Sequence, residues 1–387
     1  MSLVLRGGRI ATEDGIVEDG WVTVAEDGII ASVGRGLPEA PATGDTEEID
    51  LAGSWLVPGF VDIHCHGGGG ASYTEVAPDR VEAAALAHRK HGTTTTMASL
   101  VSRPIPVLLE QVSALAELAA DGLVAGIHLE GPFISAARCG AHDPAVLTPP
   151  DLQSVRKLLA AGAGQIRMVT LAPELDGAVD AVREFTEAGV IVALGHTDAT
   201  EAQVRPAVDA GATVATHLFN GMRPLHHREP GPIGALLDDE RVTVELICDL
   251  VHLHPTAVRL AARHAGTERT VLVTDAMAAA GVGDGVYEVG GLRVTVRDGV
   301  PTLDGAGSLA ASTLTLDKAV RNFVSSCRMT MSEAVAAVST RPARLLGLAG
   351  PGVKAPIGVI APGAVADLVV IDEQLRANRV MHRGSWV

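Results

Sequence analysis

Residues 60–70 read FVDIHCHGGGG. An apolar run ends on two histidines separated by one residue, and four glycines follow. In a strand, side chains at i and i+2 share a side. His64 and His66 therefore point together, and Cys65 points away. Imidazole is the commonest metal-binding side chain, and the glycines permit tight turns and close approach by other groups. A lone pair of this kind is ordinarily two partly solvated loop histidines, so its meaning depends on what the rest of the chain brings to it.

Around this stretch, short apolar runs alternate with Ala-rich helical segments. The runs are WLVPGFVDIH (55–64), TTTTMASLV (93–101), GLVAGIHLE (122–130), QIRMVTLAP (165–173), VIVALGH (190–196), ATVATHLF (212–219), VTVELICD (242–249) and TVLVTDAM (270–277). Segments such as DRVEAAALAHRKHG (79–92) and PVLLEQVSALAELAADG (106–122) lie between them. Continuously apolar strands joined by helices imply a parallel sheet covered on both faces. Eight such units fit an α/β fold of the (β/α)8 TIM-like barrel type. A doubly wound open sheet is the competing architecture, and the positions of the polar residues favour the barrel. YEVGGLRVTVRDGVPTL (287–303) reads as a hairpin inserted after the eighth strand.

The ends of the chain have another style. LVLRGGRIAT (3–12), WVTVAEDGIIASVG (21–34) and EEIDLAG (47–53) read as short strands with Gly-containing turns. GVIAPGAVADLVVIDEQ (358–374) and RVMHRGSWV (379–387) read the same way. The expected division is a small β-sandwich domain formed by both termini, residues 1–57 and 352–387, around a barrel over 58–351.

Composition narrows the partners. Apolar residues make up 47% of the 387-residue chain and charged residues 20%, which suits a large core. The formal charge of −16 disfavours nucleic acid, whose phosphates need basic surface. No run is long and apolar enough to span a bilayer, and MSLVLRGGRI (1–10) lacks a signal-peptide core. Cys65, Cys139, Cys248 and Cys327 are scattered, which suggests free thiols in a reducing, cytoplasmic compartment.

The histidine pair has company. Glu130 ends the third run, His196 the fifth, His217 the sixth and Asp275 the eighth. Six ligand-type residues thus terminate five strands on the barrel face where these folds place active sites. Glu130, His196 and His217 make a three-ligand set with an open position, as a catalytic Zn2+ site requires. His64 and His66, with Glu130 bridging, make a second set. A divalent metal there makes bound water nucleophilic near neutral pH, and Asp275 is placed to take and return its proton. His128, two before Glu130, faces the same way but deeper, as a satisfied core histidine or a partner of the ligands.

These motifs resemble the amidohydrolase superfamily and, within it, the N-acetylglucosamine-6-phosphate deacetylases. The resemblance covers nearly the whole chain. It rests on PGFVDIHCHG, GIHLEGPF, GAHDP, LGHTDA, THLFNGM, REPG, LVTDAM and GSLAASTLTL. It implies hydrolysis of N-acetylglucosamine 6-phosphate to glucosamine 6-phosphate and acetate, in amino-sugar and cell-wall sugar recycling. It implies one or two divalent ions per subunit, first of all Zn2+ with Fe2+ as a substitute, and a homodimer. By position, Glu130, His196 and His217 match the shared metal site, and His64 and His66 match the extra pair of two-metal members. Asp275 matches the catalytic base and acid, and His252 a histidine that polarises the acetyl carbonyl. His142, Asn220 and Gly221 match sugar contacts. Arg228, with His227 beside it, matches a phosphate contact supplied by the neighbouring subunit. Cys139 stands where some relatives carry a lysine near the phosphate.

Two alternatives are weighed against this. Cyclic amidohydrolases bridge two metals with a carboxylated lysine at the end of the fourth strand. Here QIRMVTLAP has no lysine, and Lys90, Lys157, Lys318 and Lys354 close no barrel strand. A deaminase gives REPG no role. A non-catalytic scaffold would have no need of all six site residues.

Overall fold

The computed structural model describes residues 2–37 and 46–387. Contacts divide the chain into two units. One comprises Met1–Asp62, His88–Thr95 and Leu316–Val387, and the other Ile63–Ala87 and Thr96–Thr315. In this grouping the helices after residue 316 fall with the termini, whereas the sequence division put residues up to 351 with the barrel.

In the first unit both chain ends enter one eight-stranded sheet. Its order is Ser385–Trp386, Ala377–His382, Leu368–Ile371, Trp55–Pro58, Ser2–Thr12, Gly15–Val24 and Ile30–Arg35, with Thr46–Asp50 also paired to Ser2–Thr12. Trp55–Pro58 joins the two ends. It runs parallel to Ser2–Thr12 and antiparallel to Leu368–Ile371. Alternating burial along these strands, with Val22 and Val24 buried between half-exposed neighbours, is the period of two that the sequence shows.

The second unit holds seven parallel strands: Ala98–Val101, Ile127–Glu130, Ile166–Leu171, Ile191–Leu194, Ala212–Ala215, Thr243–Ile247 and Thr270–Val273. Their spatial order is their chain order. A doubly wound sheet would reverse direction at a switch point, so the strictly sequential order marks the barrel. The ring closes through Ile63–His66. The Ser99 N–H donates to Cys65 O at 2.9 Å, the His66 N–H to Ala276 O at 2.8 Å, and the Asp275 N–H to His64 O at 2.8 Å. The amphipathic helices that follow the strands bury one face each. Leu152–Gly162, for example, starts on the Asp151 carboxylate, which accepts the Ser154 N–H at 2.9 Å, and buries Val155 and Leu158.

The four glycines after His66 now have a reason. Gly67–Gly68 pairs back on Ala71–Ser72, and a Cβ on Gly67 would lie 2.2 Å from Ala71 O. Gly69 and Gly70 turn at φ +60° and +82°, where side chains are disfavoured. Their N–H groups reach Ala280 O and Ala278 O, so the turn lies flat on the loop after the eighth strand.

The 287–303 segment is a correction. It belongs to a three-stranded antiparallel sheet, Gly285–Val289, Leu292–Arg297 and Val300–Leu303, not to a two-stranded hairpin. The third strand follows from Asp298–Gly299, a two-residue hairpin turn. The Asp284 carboxylate accepts both of its N–H groups at 2.8 and 2.9 Å. Among the described residues no helix is long and apolar enough to cross a membrane.

Candidate metal centre and active-site cavity

The strand ends bring the six ligand-type residues together. Glu130 is the last residue of its strand, and His196, His217 and Asp275 each lie two residues past theirs. These three adopt positive φ, +46°, +27° and +49°. Left-handed backbone costs a non-glycine residue about 1–3 kcal/mol and clusters at functional sites. Here it coincides with the side chains that turn into the barrel mouth.

Glu130 is the hub. Its Oε1 lies 3.0 Å from His217 Nε2, 3.1 Å from His196 Nε2 and 3.4 Å from His64 Nε2. Its Oε2 lies 3.2 Å from His66 Nε2 and 3.3 Å from His142 Nε2. Asp275 Oδ1 is 3.2 Å from His66 Nε2 and 3.5 Å from His64 Nε2. All of these residues are buried.

The outer nitrogens of His64, His66 and His196 fix the tautomers of those rings, whereas His217 Nδ1 has no partner among the described residues. His64 Nδ1 faces the Glu245 carboxylate at 3.1 Å, His66 Nδ1 faces Ser99 O at 3.1 Å, and His196 Nδ1 faces Arg138 O at 2.8 Å. A carboxylate or carbonyl only accepts, so each Nδ1 carries the proton and each Nε2 turns a lone pair inward. His142 is the reverse. Its Nδ1 accepts the Ser102 N–H at 3.2 Å, so its proton sits on Nε2 and donates to Glu130. His142 therefore sits within ligand distance of Glu130 and His196 but presents a hydrogen, which suits a bound acceptor and not a cation.

This arrangement fits a divalent ion. His64 Nε2 and His66 Nε2 are 3.2 Å apart, and His196 Nε2 and His217 Nε2 are 3.1 Å apart. Two nitrogens about 2.0–2.1 Å from a tetrahedral Zn2+ lie about 3.3 Å from each other. Lone pairs converging at this distance beside two buried carboxylates call for a positive charge between them. Where no ion is bound, protons on the rings supply that charge. Burial alone would lower His66, but hydrogen bonds and charge from Asp275 and Glu130 push it up to about 9. His64 is raised well above its usual range against the same burial, chiefly by the Glu130 and Asp275 charges. Burial works to raise Glu130, yet the His64 charge and the hydrogen bonds from His142, His196 and His217 hold it well below the carboxylate range.

Beneath the ligands lies a polar layer. His128 Nδ1 meets Ser99 Oγ and its Nε2 meets Thr170 Oγ1, both at 2.9 Å, and Thr170 Oγ1 meets Thr216 Oγ1 at 2.8 Å. His128 is thus a satisfied core histidine, held neutral by burial and by the His64 charge. Glu245, on Thr243–Ile247, is the residue sequence reasoning missed. Its Oε2 takes both the His64 Nδ1–H and the His217 N–H, each at 3.1 Å. The signal was a single charge inside the apolar run VTVELICD.

A cavity of about 270 Å3 opens over the ligands. His142, Asn220, Gly221, His252 and Asp275 line it, as the sequence expects. His252 Nδ1 donates to Asp249 Oδ2 at 2.7 Å, a second partner the sequence did not announce. Burial opposes the charged ring, but the Asp249 hydrogen bond and charge, with Asp275 beyond, raise His252 above its ordinary value. His254 instead caps the helix Pro255–Ala265, accepting the Thr256 N–H at 3.2 Å. His227 and Arg228 are exposed and line no part of this cavity. Arg228 Nη1 sits 2.9 Å from His227 Nε2. Cys139 is half-buried, a free thiol beside the lining residue Gly140.

The loops carrying these residues are tied together. Asp198 accepts Arg138 at Oδ1 and Arg223 at Oδ2, both at 2.8 Å. The Thr197 N–H donates to Gly221 O at 2.9 Å, and the Arg223 N–H to Thr197 O at 3.0 Å. One carboxylate thereby joins the loop of His142, the loop of Asn220 and the strand end of His196.

The amidohydrolase family profile matches residues 55–387. The N-acetylgalactosamine-6-phosphate deacetylase of Escherichia coli O157:H7 is 37% identical over 389 residues, covering 100% of this chain and 99% of its own. The N-acetylglucosamine-6-phosphate deacetylase of Bacillus subtilis strain 168 is 34% identical, covering 99% and 96%. Among solved structures, the N-acetyl-D-glucosamine-6-phosphate deacetylase of Mycobacterium smegmatis superposes with a TM-score of 0.92 at 45% identity, covering 100% of both chains. An aspartate-to-alanine variant of it is solved with N-acetyl-D-glucosamine 6-phosphate and gives the same TM-score of 0.92.

Proposed function

The chain belongs to the amidohydrolase family, and from that premise we propose that it hydrolyses the acetamide of N-acetylglucosamine 6-phosphate to glucosamine 6-phosphate and acetate. The observation that carries this reading is the convergence of Glu130 with inward-facing imidazole nitrogens and Asp275 beneath one cavity. The relatives named above supply the substrate class.

Glu130, His196 and His217 would hold the catalytic divalent ion, with Zn2+ first in line by donor chemistry. His64 and His66, with Glu130, would hold a second. When bound, the ion polarises the acetyl carbonyl and makes a water nucleophilic at neutral pH. Asp275 takes the proton of the attacking water and delivers it to the amine nitrogen as the C–N bond breaks. His252, kept oriented by Asp249, donates a hydrogen bond to the oxygen that becomes negative. His142, Asn220 and Gly221 contact the sugar. Arg228, with His227, reaches the phosphate of a neighbouring subunit in a homodimer, a guanidinium suiting phosphate oxygens by paired hydrogen bonds. The enzyme works in the cytoplasm.

The galacto epimer is a second reading, favoured by the E. coli O157:H7 relative. The test is amine release from N-acetylglucosamine 6-phosphate, N-acetylgalactosamine 6-phosphate and unphosphorylated N-acetylglucosamine by metal-reconstituted protein. Turnover of the phosphorylated gluco sugar well above the other two is the expected result. Preference for the galacto sugar reassigns the substrate, and turnover of neither phosphorylated sugar by metal-loaded protein ends the deacetylase reading. Arg228→Ala should raise KM for the phosphorylated sugar alone, and an unchanged KM removes Arg228 from the phosphate.

A further inference from the structure

The cavity has two unlike halves. Metal-type and hydrogen-bonding side chains form one, and Val101, Ala141, Val289, Leu309 and Ala311 form the other. The apolar half begins at the reacting centre. Val101 is the register partner of Glu130 on the adjacent strand. Partners in a parallel pair share a face, so Val101 stands beside the carboxylate that gathers the imidazoles. Met277, two residues past Asp275, belongs to the same buried apolar cluster as Val101 and Val289.

Val289 is brought there by the inserted three-stranded sheet. The sheet turns at Gly290–Gly291, and a Cβ on Gly290 would lie 2.9 Å from Val101 Cγ2. Arg103 Nη1 donates to Gly290 O at 2.8 Å and pins the turn to the end of the second barrel strand. The inner face, Val289, Val294 and Val296, packs with Val101, Met277, Ala279 and Ala310. The (β/α)8 architecture does not require such a sheet. Its visible effect is to close one side of the cavity by setting Val289 beside Val101 of the barrel.

Resting on the deacetylase reading, we propose that the Val101–Val289 wall receives the methyl group of the acyl chain and limits the site to short acyl groups. The physical reason is the substrate's own chemistry. An N-acetylated hexosamine phosphate carries hydroxyls, a ring oxygen and a phosphate, and the acetyl methyl is its one wholly apolar group. The carbonyl carbon must lie at the ligands and Asp275, so the methyl lies one bond away, beside Val101. A longer chain would run into Val289, and the neighbouring Gly290 carbonyl, held by Arg103, resists its retreat.

The test is an acyl series, N-acetyl-, N-propionyl- and N-butyrylglucosamine 6-phosphate, with wild-type protein, Val289→Ala and Val289→Leu. One methylene in an apolar pocket changes kcat/KM by about 10–200-fold. Wild-type protein should strongly prefer acetyl. Val289→Ala should raise the propionyl-to-acetyl ratio of kcat/KM by about tenfold or more, and Val289→Leu should lower it. A ratio cancels the amount of folded enzyme, so a destabilised variant still reports. Ratios within twofold of wild type in both variants, with acetyl turnover retained, overturn the acyl wall and leave the deacetylase reading standing. Failure of wild-type protein on all three sugars overturns both.

Discussion

Glu245 offers the sharpest perturbation, because its two oxygens are used so differently. Oε2 takes the His64 Nδ1–H and the His217 N–H at 3.1 Å each, while Oε1 has no partner among the described residues. A glutamine can keep its carbonyl oxygen where Oε2 is and turn its NH2 to the side where Oε1 stands. Glu245→Gln then removes the charge and little else. Hydrogen bonds to a charged group contribute about 1.5–3 kcal/mol and neutral ones about 0.5–1.5, so each bond weakens by about 1 kcal/mol. Glu245→Ala removes both bonds and strands two buried donors, at about 1–3 kcal/mol apiece. It also frees His64 to put its proton on Nε2, where it can no longer bind a cation. Partners of metal-binding histidines are worth about 10–100-fold in affinity. We expect Glu245→Gln to weaken Zn2+ binding about five- to tenfold and Glu245→Ala about 100-fold, measured by titrating metal-free protein against a chromophoric chelator. If both variants fold and bind within twofold of wild type, or if the two cannot be told apart, the orienting role is wrong.

Three further outcomes follow from the site. Asp275→Asn should retain metal by elemental analysis and lose most turnover; near-normal turnover would remove Asp275 from the proton path. With its Nδ1–H on Asp249, His252 can donate to the oxyanion in the proposed mechanism only when protonated; burial opposes that charge but Asp249 raises the ring above its ordinary value, so activity should persist below its folded pKa and fall as pH rises through it. Asp249→Asn removes the stabilising charge, and the alkaline limb of kcat/KM should move to lower pH; an unmoved limb assigns that limb to another group. Asp198→Ala should raise KM about tenfold with a smaller change in kcat, since it unties the loops of His142 and Asn220 from each other; equal loss in both constants would point to general unfolding of the site.

Most of the candidate ligand set was readable because strand ends are readable. An apolar run stopping on His, Glu or Asp places a side chain at the barrel mouth, and Glu130, His196, His217 and Asp275 stand where those runs end. The partners were harder to see for a physical reason. Ser99 and Arg138 meet His66 and His196 through backbone carbonyls, which every residue has, so for those two contacts residue identity carries no signal. Glu245 did carry one, a lone charge inside an apolar strand, and Asp249 ends the same run. The 285–303 sheet was half legible. Residues 287–303 read as one hairpin, and a second tight turn at Asp298–Gly299 adds the third strand. Val289 as a cavity wall was not legible, since only the docking of Gly290 on Val101 brings it there.

His64–Cys65–His66 has two jobs that cannot be separated. Its backbone joins the second barrel strand to the eighth, and its side chains face the ion site. The seam of the ring and the proposed seat of the cation are one tripeptide. An ion bound there would act as a clasp across the last join of the barrel, its binding energy becoming resistance to opening along that line. At a thousandfold excess over Kd a ligand of the folded state adds about 4 kcal/mol. Stripping the metal should therefore lower the melting temperature and also expose the amides of residues 63–66 and 275–276 to hydrogen exchange before the rest of the ring.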